Sequence, residues 1–235
     1  MRTNEHGQPV GDPVVGWASP PAPEPVVLEG RWVRLEPLAP AHAPDLHDAT
    51  CGEGREPLWT YVGSEMPTSR ADFEAYVAGR IAAPGMVSLV VVPTGAGPSG
   101  VVSLMRAEPA HGVVEVGAIV LGPALQRTTA ATEAMWLVAR HVFGLGYRRY
   151  EWKCDALNAP SRTAAERLGF RFEGVFRQAV VTKGRNRDTA WFAMTDGDWS
   201  ALSPAYDRWL APANFEDPGR GTGQRVSLSA LTTPG

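Results

Sequence analysis

Two cysteines, Cys51 and Cys154, and five scattered histidines are all that this chain offers to disulfide or soft-metal chemistry. They form no recognised ligand spacing, so neither a disulfide scaffold nor a zinc cluster is expected, and no metal is assigned. Lysine is also scarce, two residues against twenty arginines; with abundant Ala, Gly and Pro this speaks of GC-rich codons and not of mechanism. Long apolar runs are missing, since Met86–Pro93 and Val113–Leu121 fall far short of the roughly 20 residues that span a bilayer. No basic start followed by an apolar run opens the chain, so its first residues do not read as a secretory signal, and the expected compartment is the cytoplasm. Charge of one sign is not in excess either. A net charge of −3 argues against a dedicated nucleic-acid binder.

What is present fits one medium domain or two small ones: 235 residues, 44% hydrophobic and 20% charged. Residues 1–25 are rich in Pro with no apolar period and read as a flexible arm. Residues 201–235 read as a C-terminal extension, in which Asp217-Pro218-Gly219 and Gly221-Thr222-Gly223 precede a Val226–Leu231 segment able to dock as a strand. The folded unit is expected over 26–200. No internal repeat appears.

Within that unit Trp32–Leu38 alternates as a strand, and Ala41–Ala49 then forms a helix anchored by Leu46. Ser69 is the expected N-cap of a second helix carrying Phe73, Tyr76, Val77 and Ile81 at helical spacing. Val87–Val92 and Gly100–Met105 read as a hairpin, and Val113–Leu121 as a long strand. Ala131, Met135, Val138 and Val142 share a helix face that ends at Gly144 and Gly146. Arg149–Cys154 is a strand and Pro160–Leu168 a helix closed by Gly169. Phe170–Thr182 and Thr189–Thr195 flank a Lys183–Arg187 turn. Strands mixed with helices on one sheet give an α/β or α+β fold.

The segment Gln126-Arg127-Thr128-Thr129-Ala130-Ala131-Thr132, directly after a strand, carries the most chemistry. A helix N-terminus leaves backbone N–H groups unpaired with a partial positive charge, and small side chains let an anionic phosphate approach them. An ordinary Thr-capped helix satisfies the same letters.

Three stretches resemble the GNAT superfamily of acyl-CoA-dependent N-acyltransferases. They are Glu29–Leu38, Gln126–Ala134, and Asn158-Ala159-Pro160-Ser161 through Leu168-Gly169-Phe170 to Gly174. The first and last look most like its RimJ/RimL branch. The resemblance spans about residues 27–200 and implies a single domain whose mixed, mostly antiparallel sheet is splayed between two strands and flanked by helices. It implies acetyl-CoA as cosubstrate, held by Gln126 to Thr132 and by Asn158 on the pantetheine arm, although Asn158 can equally be a helix cap. It implies an amine acceptor as partner and allows a homodimer. The family's Gly is replaced by Thr129, whose Cβ tolerates positive φ poorly, so that point must use ordinary angles while the hydroxyl caps the helix or meets a phosphate. The tyrosine acid of many members is Ala165 here, which makes Ser161 the substitute proton donor. These two departures leave a CoA-binding regulatory module as the alternative to an enzyme.

Attack by an amine needs a base, because an ammonium has no lone pair. Glu115 is the leading candidate, since an acid in an apolar strand is costly unless paired or useful, although a solvent-facing Glu fits the alternation as well. Asp155 is second, and His111 reads as a surface residue. Trp59 and Tyr61 are candidates for the acceptor wall, or else for packing between the early helices. Arg177, Lys183, Arg185 and Arg187 can meet phosphates or an acidic acceptor, or simply solvate the hairpin.

Overall fold

The computed structural model describes residues Arg2 to Thr232. In chain order the strands and helices are β1 (Arg2–Thr3), β2 (Pro9–Val10), β3 (Leu28–Glu29), β4 (Val33–Pro37), α1 (Ala43–Thr50), α2 (Arg70–Ala82), β5 (Val87–Pro93), β6 (Gly100–Glu108) and β7 (Val113–Leu121). Then come α3 (Thr129–Gly144), β8 (Arg149–Asp155), α4 (Ala159–Arg167), β9 (Arg171–Thr182), β10 (Arg185–Thr195), α5 (Asp196–Leu210), β11 (Phe215–Asp217), β12 (Thr222–Gln224) and α6 (Ser229–Thr232). Eight strands make one sheet in the order β3-β4-β5-β6-β7-β8-β10-β9. Every neighbouring pair is antiparallel except β7–β8, which the α3 crossover makes parallel. The expected mixed, mostly antiparallel sheet is therefore the one observed.

Period-two alternation sorts the sheet's side chains into two cores. Val33, Leu35, Val91, Val102, Val114 and Val116 face α3, whose Ala134, Leu137, Val138 and Val142 are buried against them. On the opposite face Val90, Val101 and Val120 meet α1 and α2 through Leu46, Trp59, Phe73 and Val77. Ser69 caps α2 as expected, its hydroxyl accepting from Asp72 N–H at 3.1 Å. The apolar stripe of α2 ends differently from the sequence reading: Ile81 is exposed, and Arg80 is the buried residue one position earlier. Glu133 on α3 fixes the entry to β4, taking the N–H groups of Arg31 and Trp32 at 2.8 and 2.7 Å.

Both tails touch the domain. The N-terminal segment is largely exposed through residue 19, yet Pro20 is buried, Ser19 donates to the Pro109 carbonyl, and Tyr147 donates to the Pro21 carbonyl at 3.0 Å. At the other end the boundary expected at residue 200 falls inside α5, whose Trp199 stacks on Phe143 at 5.0 Å and whose Tyr206 is buried. The 226–231 segment turns into α6 instead of adding a strand, with Leu228 fully buried; a strand there would have needed a free sheet edge, and the chain docks beside α4 and α5. No helix among the described residues is long and apolar enough to cross a membrane.

Deleting residues 2–16 should leave the melting temperature within about 1 °C, whereas deleting 2–25 should lower it by about 3 °C, because only the longer cut removes the Tyr147 acceptor and the Pro20 contact. Calorimetric scans of the two truncations check this, and equal melting temperatures would show that residues 17–25 contribute nothing.

Candidate active site

The parallel ladder between β7 and β8 lasts four residues, from Val113–Arg149 to Val116–Trp152, and then stops. Beyond it Gly117–Leu121 stays with β6 and Lys153–Asp155 with β10, so the two strands part and leave a cleft between their facing edges. The divergence coincides with a β-bulge: Ala118 and Ile119 oppose the single residue Val102, and Ala118 takes a φ of 48°. Arg80 holds this bulge from beneath. Its guanidinium donates to the Ala118 carbonyl at 2.8 Å, to Ser103 at 2.6 Å and to the Tyr76 hydroxyl at 2.8 Å.

The chain leaving β7 winds into α3 through a turn built on Gly122, whose carbonyl accepts from Leu125 and Gln126 N–H. A Cβ at Gly122 would stand 2.8 Å from the Ala49 carbonyl oxygen, so only glycine lets the loop pass α1 this closely. Gln126 folds back to the Leu121 carbonyl. The left-handed residue is Arg127, at φ 62°, and Thr129 has ordinary helical geometry as the first residue of α3. Thr128 is the N-cap, accepting from Ala131 N–H at 3.1 Å. Helix geometry then leaves the N–H groups of Thr129 and Ala130 without an intrahelical acceptor, at the positive end of a 16-residue helix. They border a cavity of about 590 Å³ to which Arg127 and Arg167 also contribute. That size lies within the roughly 300–1,000 Å³ of small-molecule sites.

Comparison with known proteins shows the family. The family described as acetyltransferase (GNAT) domain matches residues 33–171. The chain belongs to the GNAT acetyltransferase family. With it comes the family's acyl-CoA-dependent N-acetyltransferase activity. A GCN5-related N-acetyltransferase from Brucella melitensis is similar at 45% identity and TM-score 0.88, over 92% of this chain and 98% of that one. A probable GNAT-family acetyltransferase from Chromobacterium violaceum is similar at 36% identity and TM-score 0.77, over 83% and 98%. The Salmonella typhimurium acetyltransferase that modifies the N-terminal serine of ribosomal protein L7/L12 shares the fold at 21% identity and TM-score 0.64, over 72% and 99%. No functionally curated protein matches the chain.

Within the GNAT frame the residues singled out from the sequence fall into distinct groups. Gln126 to Ala131 lie together at the loop and helix start, as expected. Thr132 belongs elsewhere: it is buried, bonded back to the Thr128 carbonyl, and accepts from Arg167 at 3.1 Å. The Thr129 hydroxyl is committed to the Gly221 carbonyl on the C-terminal hairpin, neither capping the helix nor standing free for a phosphate. Asn158 caps α4, its Oδ1 accepting from Ser161 N–H at 3.1 Å. Ser161 Oγ accepts from Trp152 Nε1 at 3.0 Å, and its own hydroxyl faces the Cys154 thiol. Burial pushes the neighbouring Cys154 thiol above its usual range, against the opposing pull of a hydrogen bond from Ser161 and the charges of Arg187 and Arg162.

Glu115 is 4% exposed and sits opposite Glu151 in the parallel ladder. Its Oε2 meets Lys153 at 3.0 Å and Arg106 at 2.8 Å, while Lys153 also bridges to Glu151 at 2.8 Å and lies 3.7 Å from the Trp191 ring centroid. Arg149 continues the network from Glu151 to Glu173, and holds the Glu173 carboxyl below its usual range. Three cations thus match three carboxylates on one face of the sheet. Asp155 accepts from Leu157 N–H and shapes the turn after β8. Trp59 is a core residue and not an acceptor wall: it is 2% exposed, packs edge-on against Tyr76 at 5.3 Å and donates to the Thr50 carbonyl. Tyr61 is partly exposed, and its hydroxyl donates to Leu157 O at the end of β8, beside the cleft. Lys183 anchors the same loop by donating to the Trp59 carbonyl at 2.6 Å, so it is no free hairpin cation.

Arg80 escaped the sequence reading, although an arginine closing the stripe Phe73, Val77, Arg80 at i, i+4 and i+7 is a legible sign of a buried cation with a partner across the sheet. Arg80→Ala should lower stability by about 3 kcal/mol, roughly 6–12 °C in melting temperature, and reduce kcat more than CoA affinity; Arg80→Lys should rescue only part of both, since a single ammonium cannot take the two separate positions of the guanidinium nitrogens that reach Tyr76 on one side and Ser103 and Ala118 on the other. Thermal melts with steady-state kinetics check this, and unchanged kcat in a folded Arg80→Ala variant would detach the bulge from catalysis. A second pair isolates the helix amides. Thr128 is already extended, with φ −93° and ψ 163°, so proline fits at position 129. Thr129→Pro should weaken CoA binding about tenfold beyond Thr129→Val, because only proline removes the N–H as well as the hydroxyl. Equal affinities by calorimetry would refute a role for that amide.

Proposed function

We propose that this chain transfers the acetyl group of acetyl-CoA to a primary amine of a small molecule or protein, by direct attack in a ternary complex. The observation that carries the reading is the parting of β7 from β8 beside a helix start with two free amides: a cleft for a chain-like thioester that ends at a phosphate-sized cradle. Acetyl-CoA supplies the activated acyl group. The free N–H groups of Thr129 and Ala130, with Arg127 beside them, bind its pyrophosphate, and Asn158, through the amide nitrogen left over from capping, orients the pantetheine arm. N–H groups on the β7 edge released beyond Val116 polarise the thioester carbonyl. Glu115 takes the amine proton, directly or through water, from the α1/α2 side of the sheet, and Ser161 returns a proton to the leaving thiolate. Tyr61 borders the acceptor's entry. We take the cytoplasm as its compartment, in keeping with two free thiols. A homodimer would join copies along the edge strand β9, which exposes Phe176 and Val181. The comparisons lend no support to the regulatory-module alternative.

Thiol release from a panel of acyl-CoAs and amines, peptide α-amines included, tests the reading, and a wild-type protein that consumes no thioester with any pair would overturn it. Glu115→Gln should lower turnover about a hundredfold with CoA affinity intact, most of all at pH values where the amine is mainly protonated. If its pH–rate profile is unchanged while the melting temperature drops, Glu115 is an ion-pair residue and the base lies elsewhere.

A further inference from the structure

The C-terminal hairpin lines the same cavity, its tip against the first residue of α3. Its base is rigid. Buried Asn214 donates to the Trp209 and Val226 carbonyls and accepts from Val226 N–H at 2.9 Å, and Phe215 packs edge-on between Trp32 and Trp209 at 5.1 and 5.4 Å. Trp209 Nε1 donates to Gln224 at 3.0 Å, tying the second strand to α5. The tip between β11 and β12 is held against the sheet and α3 by Trp32 Nε1 on the Pro218 carbonyl at 3.1 Å and by the Thr129 hydroxyl on the Gly221 carbonyl. Gly221 has φ 64°, and a Cβ there would stand 3.0 Å from both Thr129 and Trp32, so this approach requires glycine. Asp217 accepts from the Gly219 and Arg220 amides and shapes the turn that presents Arg220, whose side chain is mostly exposed, with the Asp217 carboxylate 3.7 Å away.

Charge on the cavity wall is one-sided. Arg127 comes from the loop, Arg167 from α4 and Arg220 from the hairpin, and among the described residues lining it there is no carboxylate. Burial pulls Arg167 below its usual range against an opposing pull from Tyr206, and its guanidinium meets the Thr132 hydroxyl and the Trp209 ring. A cavity so lined suits a polyanion with phosphates at its two ends.

We propose that the β11–β12 hairpin is the outer wall of the cosubstrate site and that Arg220 binds the 3′-phosphate of CoA. The inference rests on the acyl-CoA reading above. Free amides at the floor suit the pyrophosphate, whereas a phosphomonoester, nearly a dianion at neutral pH, suits an arginine at the rim. Thr129 follows from the same arrangement: where a glycine would leave the loop bare, its hydroxyl fastens the hairpin to the helix that holds the pyrophosphate.

Calorimetry of the full chain with CoA and with dephospho-CoA tests this. Wild type should favour CoA; Arg220→Ala should weaken CoA about fivefold and leave dephospho-CoA unchanged, removing most of the preference. Gly221→Val, which pushes the tip away, should weaken both, with thermal melts showing that each variant is folded. Amide hydrogen exchange across residues 215–225 should slow on adding CoA. If Arg220→Ala changes neither affinity, or both equally, Arg220 does not read the 3′-phosphate. If Gly221→Val tightens binding, the hairpin is a plug and not a wall. A wild type that binds neither compound overturns the acyl-CoA reading itself, a result distinct from wild-type binding that is indifferent to the hairpin variants.

Discussion

Everything at this site depends on two strands that cannot stay together. A parallel pair normally continues until a turn ends it, but β7 carries one extra residue at the bulge and is pulled towards β6, while β8 follows β10. The facing backbone groups are thereby released in the middle of a sheet, where a substrate can take the place of a missing ladder. Arg80 makes the bulge permanent by tying its carbonyl to α2, so the cleft is part of the resting fold and does not wait for a ligand to open it.

On the α1/α2 side of the sheet the closed end of the cleft is held by charge, while Val114, Val116 and Tyr150 pack into the apolar core on the other side. Glu115, Glu151 and Lys153 come from adjacent strands in register, and each is nearly buried. Isolated, any one of them would carry a large desolvation penalty; together they compensate, and the ion pairs hold the four ladder residues where divergence must begin. A proton-accepting role for Glu115 therefore has to operate within a balanced network, in which Arg106 and Lys153 supply the counter-charge at every step.

Much of the fold could be read from the letters, because period-two and helical apolar patterns are local. The apolar run Val113–Leu121 is β7 from its first residue to its last. The Lys183-Gly184 turn is tighter than expected, with both residues at positive φ closing a two-residue hairpin loop. What escaped is what depends on distance along the chain. Trp59 looks like a wall residue until its indole is seen to donate into α1. Thr129 reads as a departure from a motif until Gly221, 92 residues later, supplies the acceptor. Beyond α5 the extension reads as polar and Gly-rich, yet Phe215 and Leu228 are buried there, apolar positions too widely spaced to register as a core segment. Glu115 was recognisable as an anomaly in an apolar strand, but its pairing with Lys153 requires the strand order.

Both cysteines are buried and free, and burial raises each thiol above its usual range, so little thiolate forms at neutral pH. The native protein is consequently almost silent towards thiol-specific dyes. A chromogenic reagent mixed with the folded chain will colour in proportion to liberated coenzyme alone, whereas a sudden two-equivalent burst from the protein signals that the sheet has come apart.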